Sequence, residues 1–207
     1  MISLPKLILA SGSPRRAEIL TAVGWKFTKD VSEVDETELT GESPEDYVQR
    51  LAREKAEKVA EKYPEVIVLG ADTTVVIDKQ IIGKPTDLDD ARRMIKILSG
   101  RWHEVLTGVA IIKKEGVKRR MGEEETNFKS QISNLKSSVG LQKTLVKFAE
   151  MTDAEIEFLV QFGEPLDKAG AYAVQAQAAL FIEKIEGDYW NVVGLPINLV
   201  YGLVQKL

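Results

Sequence analysis

An α/β protein built on a mixed sheet is what this chain predicts, and three observations carry that expectation. Apolar runs of strand length recur at residues 7–10, 66–78 and 102–113. Between them, segments starting at Pro14, Ser43 and Asp87 carry apolar residues at helical spacing. Gly and Pro punctuate most junctions, and strand and helix signals alternate along most of the chain.

Composition bounds the possibilities. A chain of 207 residues can bury a full core, and it reads as a single domain spanning 1–207. The net charge of −4 argues against a protein that coats nucleic acid. With no cysteine and a single histidine, disulfides, thiol catalysis and zinc centres of Cys and His drop out together. The N-terminus has no signal-peptide pattern, and no apolar run has the length of a membrane span. The expectation is a cytoplasmic protein with no membrane partner.

The first strand runs into Ser11, Gly12, Ser13, Pro14, Arg15 and Arg16. Pro14 suits the first turn of a helix and the Ser13 hydroxyl is placed to cap it. Free amides, two hydroxyls and two guanidiniums in so short a stretch suit an anion, phosphate best of all, and equally fit an ordinary capped turn with two solvated arginines. The helix carries Ile19, Leu20 and Val23 and stops at Gly24. A strand over about 25–31 should follow, ending in a loop where Asp35 gathers with Glu33 and Glu36. Loop carboxylates are usually only solvated.

Ser43, Pro44 and Asp46 open a long helix reaching about Lys62. Its inward face reads Val48, Leu51, Ala52, Lys55, Ala56, Val59, so Lys55 falls inside the apolar stripe. A lysine there either snorkels to the edge or meets an anion. Within residues 66–78, Asp72 sits between two strongly apolar stretches, where a carboxylate needs a cation, a metal or hydrogen bonds. A hairpin at 78–80 returns to Gly83-Lys84-Pro85, where Lys84 is equally readable as a phosphate ligand or a solvated cation.

A helix over 87–99 and a strand over 102–113 come next. His103 has no nucleophile in a recognisable motif and receives no catalytic role. Residues from about 117 to 143 are polar and read as an excursion, helical in part or disordered, before a strand at 144–148. A capped helix starts at Thr152, then Asp167-Lys168 and small residues form a tight loop leading to Gln175, whose amide suits a base edge. A strand over 180–185, a turn at Gly187 and a helix from Pro196 complete the chain.

Taken together, LASGSPRR, the lysine of LAREKA, GADT, GKP, LSG with HEVLTG, GEPLDKAGAY and NVVGLP resemble, in the same order, the Maf family of nucleoside triphosphate pyrophosphatases. The resemblance spans nearly the whole chain outside the polar excursion. It implies a two-lobed, inosine-triphosphatase-like fold with a nucleotide cleft between the lobes. It also implies hydrolysis at the α-phosphate to a monophosphate and pyrophosphate, a divalent cation (Mg2+ or Mn2+), and often a homodimer. By motif position Asp72 becomes the proton acceptor for water; Ser11, Ser13, Arg16, Lys55 and Lys84 line the phosphate site; and Asp35 joins Asp72 at the metal. Oxygen ligands and cations around phosphate agree with that chemistry.

Arg15, Thr73 and Gln175 resemble the dTTP/UTP branch rather than the 7-methyl-GTP branch, which has Trp, Gln and Glu there. Two departures stand out: Ala173 and Ala176 occupy positions where the family has Gly, and the stretch at about 121–140 is longer than its pattern. The rival expectation is a nucleotide-binding regulator of septum formation and cell division without turnover, for which Asn at position 72 would be tolerated. Binding of nucleic acid through the Arg15-Arg16 turn is disfavoured by the acidic balance.

Overall fold

The computed structural model describes residues 4–31, 33–114 and 135–207. In chain order they form β1 (Leu7–Leu9), α1 (Pro14–Ala22), β2 (Phe27–Lys29), α2 (Pro44–Ala60), β3 (Ile67–Ile77), β4 (Gln80–Ile82) and α3 (Leu88–Leu98). Then come β5 (Trp102–Lys114), β6 (Leu135–Phe148), α4 (Asp153–Phe162), β7 (Ile182–Glu186), α5 (Tyr189–Val193) and α6 (Ile197–Val204). Short 3-10 turns lie at Pro165–Asp167, Ala169–Ala171 and Gln177–Leu180.

One seven-stranded sheet, in the order β2-β1-β3-β5-β6-β7 with β4 beside β3, runs through the described residues. β1 pairs in parallel with both β2 and β3, and the remaining ladders are antiparallel. The class is the mixed α/β sheet flanked by helices that alternation predicts. The helices start where capping chemistry puts them: Ser43 accepts from the Asp46 amide, Asp87 from the Asp90 amide, and Thr152 with Glu155 forms a reciprocal capping box.

Side chains alternate across the long strands, so each face of the sheet has its own cover. Leu69, Ala71, Val75 and Ile77 of β3, with Val105, Val109 and Ile111 of β5, pack into the larger core with residues of α1, α3, α4 and α6. Val68, Ala110 and Ile112 face Ala52, Ala56, Val59 and Ala60 of α2. Burial of each large aliphatic side chain contributes about 1.5–3 kcal/mol. His103 lies in the larger core, its Nε2 2.7 Å from the Tyr172 hydroxyl and its ring edge-on to Phe148 and Tyr172. Burial pushes its pKa down to about 4, so the ring is neutral and structural.

The structure corrects four expectations. Residues 135–143, expected in the polar excursion, belong to β6, paired with β5 from Leu135 opposite Lys114 to Lys147 opposite Trp102. Lys136, Ser137, Gln142 and Lys143 hide that strand because its start is exposed and polar side chains are tolerated there. The rest of the expected excursion lies outside the described residues. Ser13 takes the N-cap position of α1, yet its hydroxyl makes no capping bond; its amide donates instead to Ser11 Oγ, at 3.2 Å. Strand β2 is shorter than expected, at three residues, and α5 forms in a stretch for which no element was expected. Among the described residues no helix is long and apolar enough to cross a membrane.

Candidate active site

The site begins as a gap in the sheet. β1 pairs with residues 67–69 of β3 and β4 pairs with residues 75–77, both on the same edge. Residues 70–74, GADTT, therefore have no strand neighbour on that edge among the described residues. The Ala10 amide still reaches the Leu69 carbonyl at 2.8 Å, and then the chain peels away into α1. A cavity of about 540 Å³ fills the gap, large enough for a nucleotide.

On one face of β3, glycine controls the approach of α2. A Cβ built on Gly70 would lie 2.1 Å from the Ala52 carbonyl oxygen, and one on Gly108 2.1 Å from that of Val48. The helix backbone thus rests directly on the sheet, bringing Lys55 beside Asp72. Lys55 Nζ lies 2.6 Å from Asp72 Oδ1 and 2.6 Å from Glu36 Oε1. Of the two outcomes open to a lysine in an apolar stripe, it meets anions, and they are carboxylates of its own chain. Burial raises the pKa of Asp72 above the usual carboxylate range, against the opposing pull of Lys55 and Arg16. For Glu36, partial burial also raises the pKa, but the hydrogen bond and charge of Lys55, with the charges of Lys84 and Arg16, together outweigh it, and the net shift is downward. The Tyr47 hydroxyl donates to the Glu36 carbonyl at 2.9 Å, and its own pKa is pushed up to about 12 by burial and by the charge of Asp72. Thr74, two residues beyond Asp72 on the same face, buries a hydroxyl that has no hydrogen-bond partner.

The other face is organised by Arg16. Its guanidinium donates to the Gly194 carbonyl at 2.9 Å, to Ser11 Oγ at 2.9 Å and to Thr73 Oγ1 at 3.1 Å. Thr73 Oγ1 is also 2.9 Å from Thr107 Oγ1. One planar fork thereby joins the start of α1, the middle of β3 and the turn after α5. Burial pulls the pKa of Arg16 below its ordinary value, with Asp72 acting in the opposite sense. α5 is itself anchored by Asn191, whose side-chain amide donates to the Val105 carbonyl and to Thr144 Oγ1.

The loop over 164–176 closes the cleft. The Gly170 amide donates to the Gly83 carbonyl, and a Cβ on Gly170 would lie 2.8 Å from Val75, so the loop sits against both β3 and the Lys84 turn. Ala171, at φ 65°, holds the left-handed conformation that favours glycine, a strained position in the core behind this loop. Arg15 reaches across to Asp167, 3.0 Å away, and Lys168 binds the same carboxylate at 2.6 Å.

Ser11, Ser13, Arg15, Arg16, Lys55, Asp72, Thr73, Lys84 and Gln175 all line this cavity. Asp35 does not. Its carboxylate is exposed and turned back on Thr37, accepting from the amide at 2.9 Å and the hydroxyl at 2.6 Å. Its neighbour Glu36 enters the cleft instead, a difference of one residue that a loop without periodicity does not signal. Tyr47 and the Gly194 carbonyl are further contributors that had no assigned role, and Asp167, expected as part of a tight loop, brings its carboxylate to the cavity; a backbone carbonyl leaves no trace in a residue pattern. Ala173 lines the cavity and Ala176 sits at φ −119°, so neither departure from glycine forces a left-handed backbone.

No group of three or more His, Cys, Asp or Glu able to hold a metal occurs among the described residues. What the cleft offers is two carboxylates, Asp72 and Glu36, converging on one point. That donor set fits a hard divalent cation whose remaining ligands are phosphate oxygens and water.

Known proteins resemble this chain over nearly its whole length. A family profile described as Maf-like protein matches residues 6–207. The dTTP/UTP pyrophosphatase of Symbiobacterium thermophilum is 46% identical over 195 residues, covering 94% of this chain and 90% of the relative. Those of Bacillus cytotoxicus and Koribacter versatilis are each 45% identical, covering 98% and 97% of this chain and 96% and 93% of the relatives. The Ham1 protein of Staphylococcus aureus superposes with a TM-score of 0.51 over 97% of this chain and 98% of its own at 13% identity, a likeness of fold alone and of the expected inosine-triphosphatase-like class. On the full-length match and these identities, the chain belongs to the Maf family.

Proposed function

We infer that this protein hydrolyses nucleoside triphosphates, dTTP and UTP foremost, to the monophosphate and pyrophosphate. The observation that carries the reading is Asp72, a buried carboxylate in a nucleotide-sized cavity whose lining also brings together the cations Arg15, Arg16, Lys55 and Lys84. Raised proton affinity suits Asp72 to take a proton from water as the water oxygen attacks the α-phosphorus. The bond from that phosphorus to the bridging oxygen breaks, and pyrophosphate leaves with the electron pair. Lys55, Lys84 and Arg16 neutralise the charge on the phosphates, and the Ser11–Ser13 turn positions them at the start of α1. Asp72 and Glu36 would hold magnesium or manganese together with phosphate oxygens, and a cation so held supplies charge neutralisation on the reacting phosphate. Gln175, exposed at the rim of the same cavity, is placed to read the base by its amide. A cytoplasmic homodimer with no nucleic-acid partner completes the proposal.

Pyrophosphate release from dTTP, UTP, CTP, ATP, GTP and 7-methyl-GTP, with magnesium, manganese or chelator, tests it. Release fastest from dTTP and UTP and abolished by chelator is expected. No release from any nucleotide refutes the enzyme; release fastest from a purine refutes the substrate assignment.

A further inference from the structure

Lys55 is bound twice over before any substrate arrives. Its ammonium contacts Asp72 and Glu36 at 2.6 Å each, from a side chain only 10% exposed. The two carboxylates come from separate segments, the loop before α2 and the centre of β3, and they share this one cation. We propose that Lys55 holds the place of the divalent cation in the free cleft, so that metal and triphosphate are taken up together as one complex.

This inference rests on the proposed pyrophosphatase reading. A cation entering alone would have to displace an ammonium that already serves both carboxylates, and would leave that ammonium beside it. When the cation arrives on a triphosphate, the phosphate oxygens give Lys55 a new anion to follow. Its flexible four-carbon stem allows the swing without movement of α2, which is fixed against Gly70 and Gly108. A cleft wired in this way does not bind metal appreciably at rest, and the metal and nucleotide sites are positively coupled.

Manganese binding in the absence of nucleotide, followed by the electron paramagnetic resonance signal of free Mn2+, tests the proposal. Lys55→Met leaves Asp72 and Glu36 without the ammonium they share. Its Mn2+ affinity should rise at least about tenfold over wild type, and adding Glu36→Gln should remove the gain. In wild type, a non-hydrolysable α,β-methylene nucleoside triphosphate should raise Mn2+ affinity by about tenfold or more. The wild-type measurement decides the matter if a melting curve shows that Lys55→Met does not fold. No gain in folded Lys55→Met, or equal Mn2+ affinity in wild type with and without the analogue, overturns the proposal. Pyrophosphate release by wild type is read separately: turnover without metal–nucleotide coupling defeats this inference alone, and coupling without turnover defeats the pyrophosphatase reading alone.

Discussion

Substituting Gly70 by alanine tests whether close approach of α2 to the sheet sets the site. The added Cβ would lie 2.1 Å from the Ala52 carbonyl oxygen and 2.9 Å from the Ala56 amide and Cβ. These neighbours are mainly helix backbone, so no rotamer change relieves the clash, and α2 must back away by about 1 Å to restore van der Waals distances. Overpacking of this kind costs about 1–3 kcal/mol, and a backbone contact belongs at the upper end. For a chain of this size about 3 kcal/mol corresponds to a Tm lower by about 6–12 °C. Lys55 rides on the same helix, and a displacement of about 1 Å at a reacting centre lowers turnover by about a hundredfold. Urea unfolding and steady-state kinetics measure both effects. Gly83→Ala, with nothing within 4 Å of the built Cβ, should stay within about 0.5 kcal/mol of wild type and serves as the control. A Gly70→Ala protein as stable and as active as wild type would refute the close-packing account.

Three further outcomes follow from individual side chains. His103, neutral in the fold with its pKa lowered to about 4, binds fewer protons folded than unfolded between that value and 6.5. Stability should therefore fall with decreasing pH across this window by about 3 kcal/mol, and His103→Gln should flatten that part of the urea-midpoint profile. Thr74→Val removes a buried hydroxyl without a partner and should raise stability by about 0.5–1 kcal/mol in the same assay; a loss of more than about 1 kcal/mol would show that the hydroxyl is satisfied. Arg16→Lys keeps the charge but loses the fork joining Ser11, Thr73 and Gly194, so kcat/KM should drop by about 10–100-fold with the fold retained by circular dichroism.

Much of the architecture is legible because the core-facing positions leave periodic marks. Lys55 interrupts an apolar helical stripe and Asp72 an apolar strand, and each interruption is explained by the other across one ion pair. Caps at Ser43, Asp87 and Thr152 are local chemistry and read directly. What stays hidden is whatever long-range contact decides. Ser11 rather than Ser13 serves the turn because Arg16, itself tied to Gly194 from the other end of the chain, draws on the Ser11 hydroxyl. Glu36 rather than Asp35 enters the cleft because Thr37 captures Asp35 locally and Lys55 captures its neighbour. The first half of β6 takes its strand structure from its ladder with β5, since Lys136, Ser137 and Ser138 are polar on both sides of the strand.

The central claim is that Asp72 activates water in this cleft, and the most direct measurement compares wild type with Asp72→Asn for binding and turnover of dTTP. A nearly isosteric amide keeps the shape of the site but cannot accept the proton. Measured without divalent metal, the affinity of Asp72→Asn for the α,β-methylene analogue of dTTP should lie within about threefold of wild type, while kcat with magnesium falls by about 10²–10⁴-fold. Turnover within about tenfold of wild type at unchanged affinity would contradict the claim.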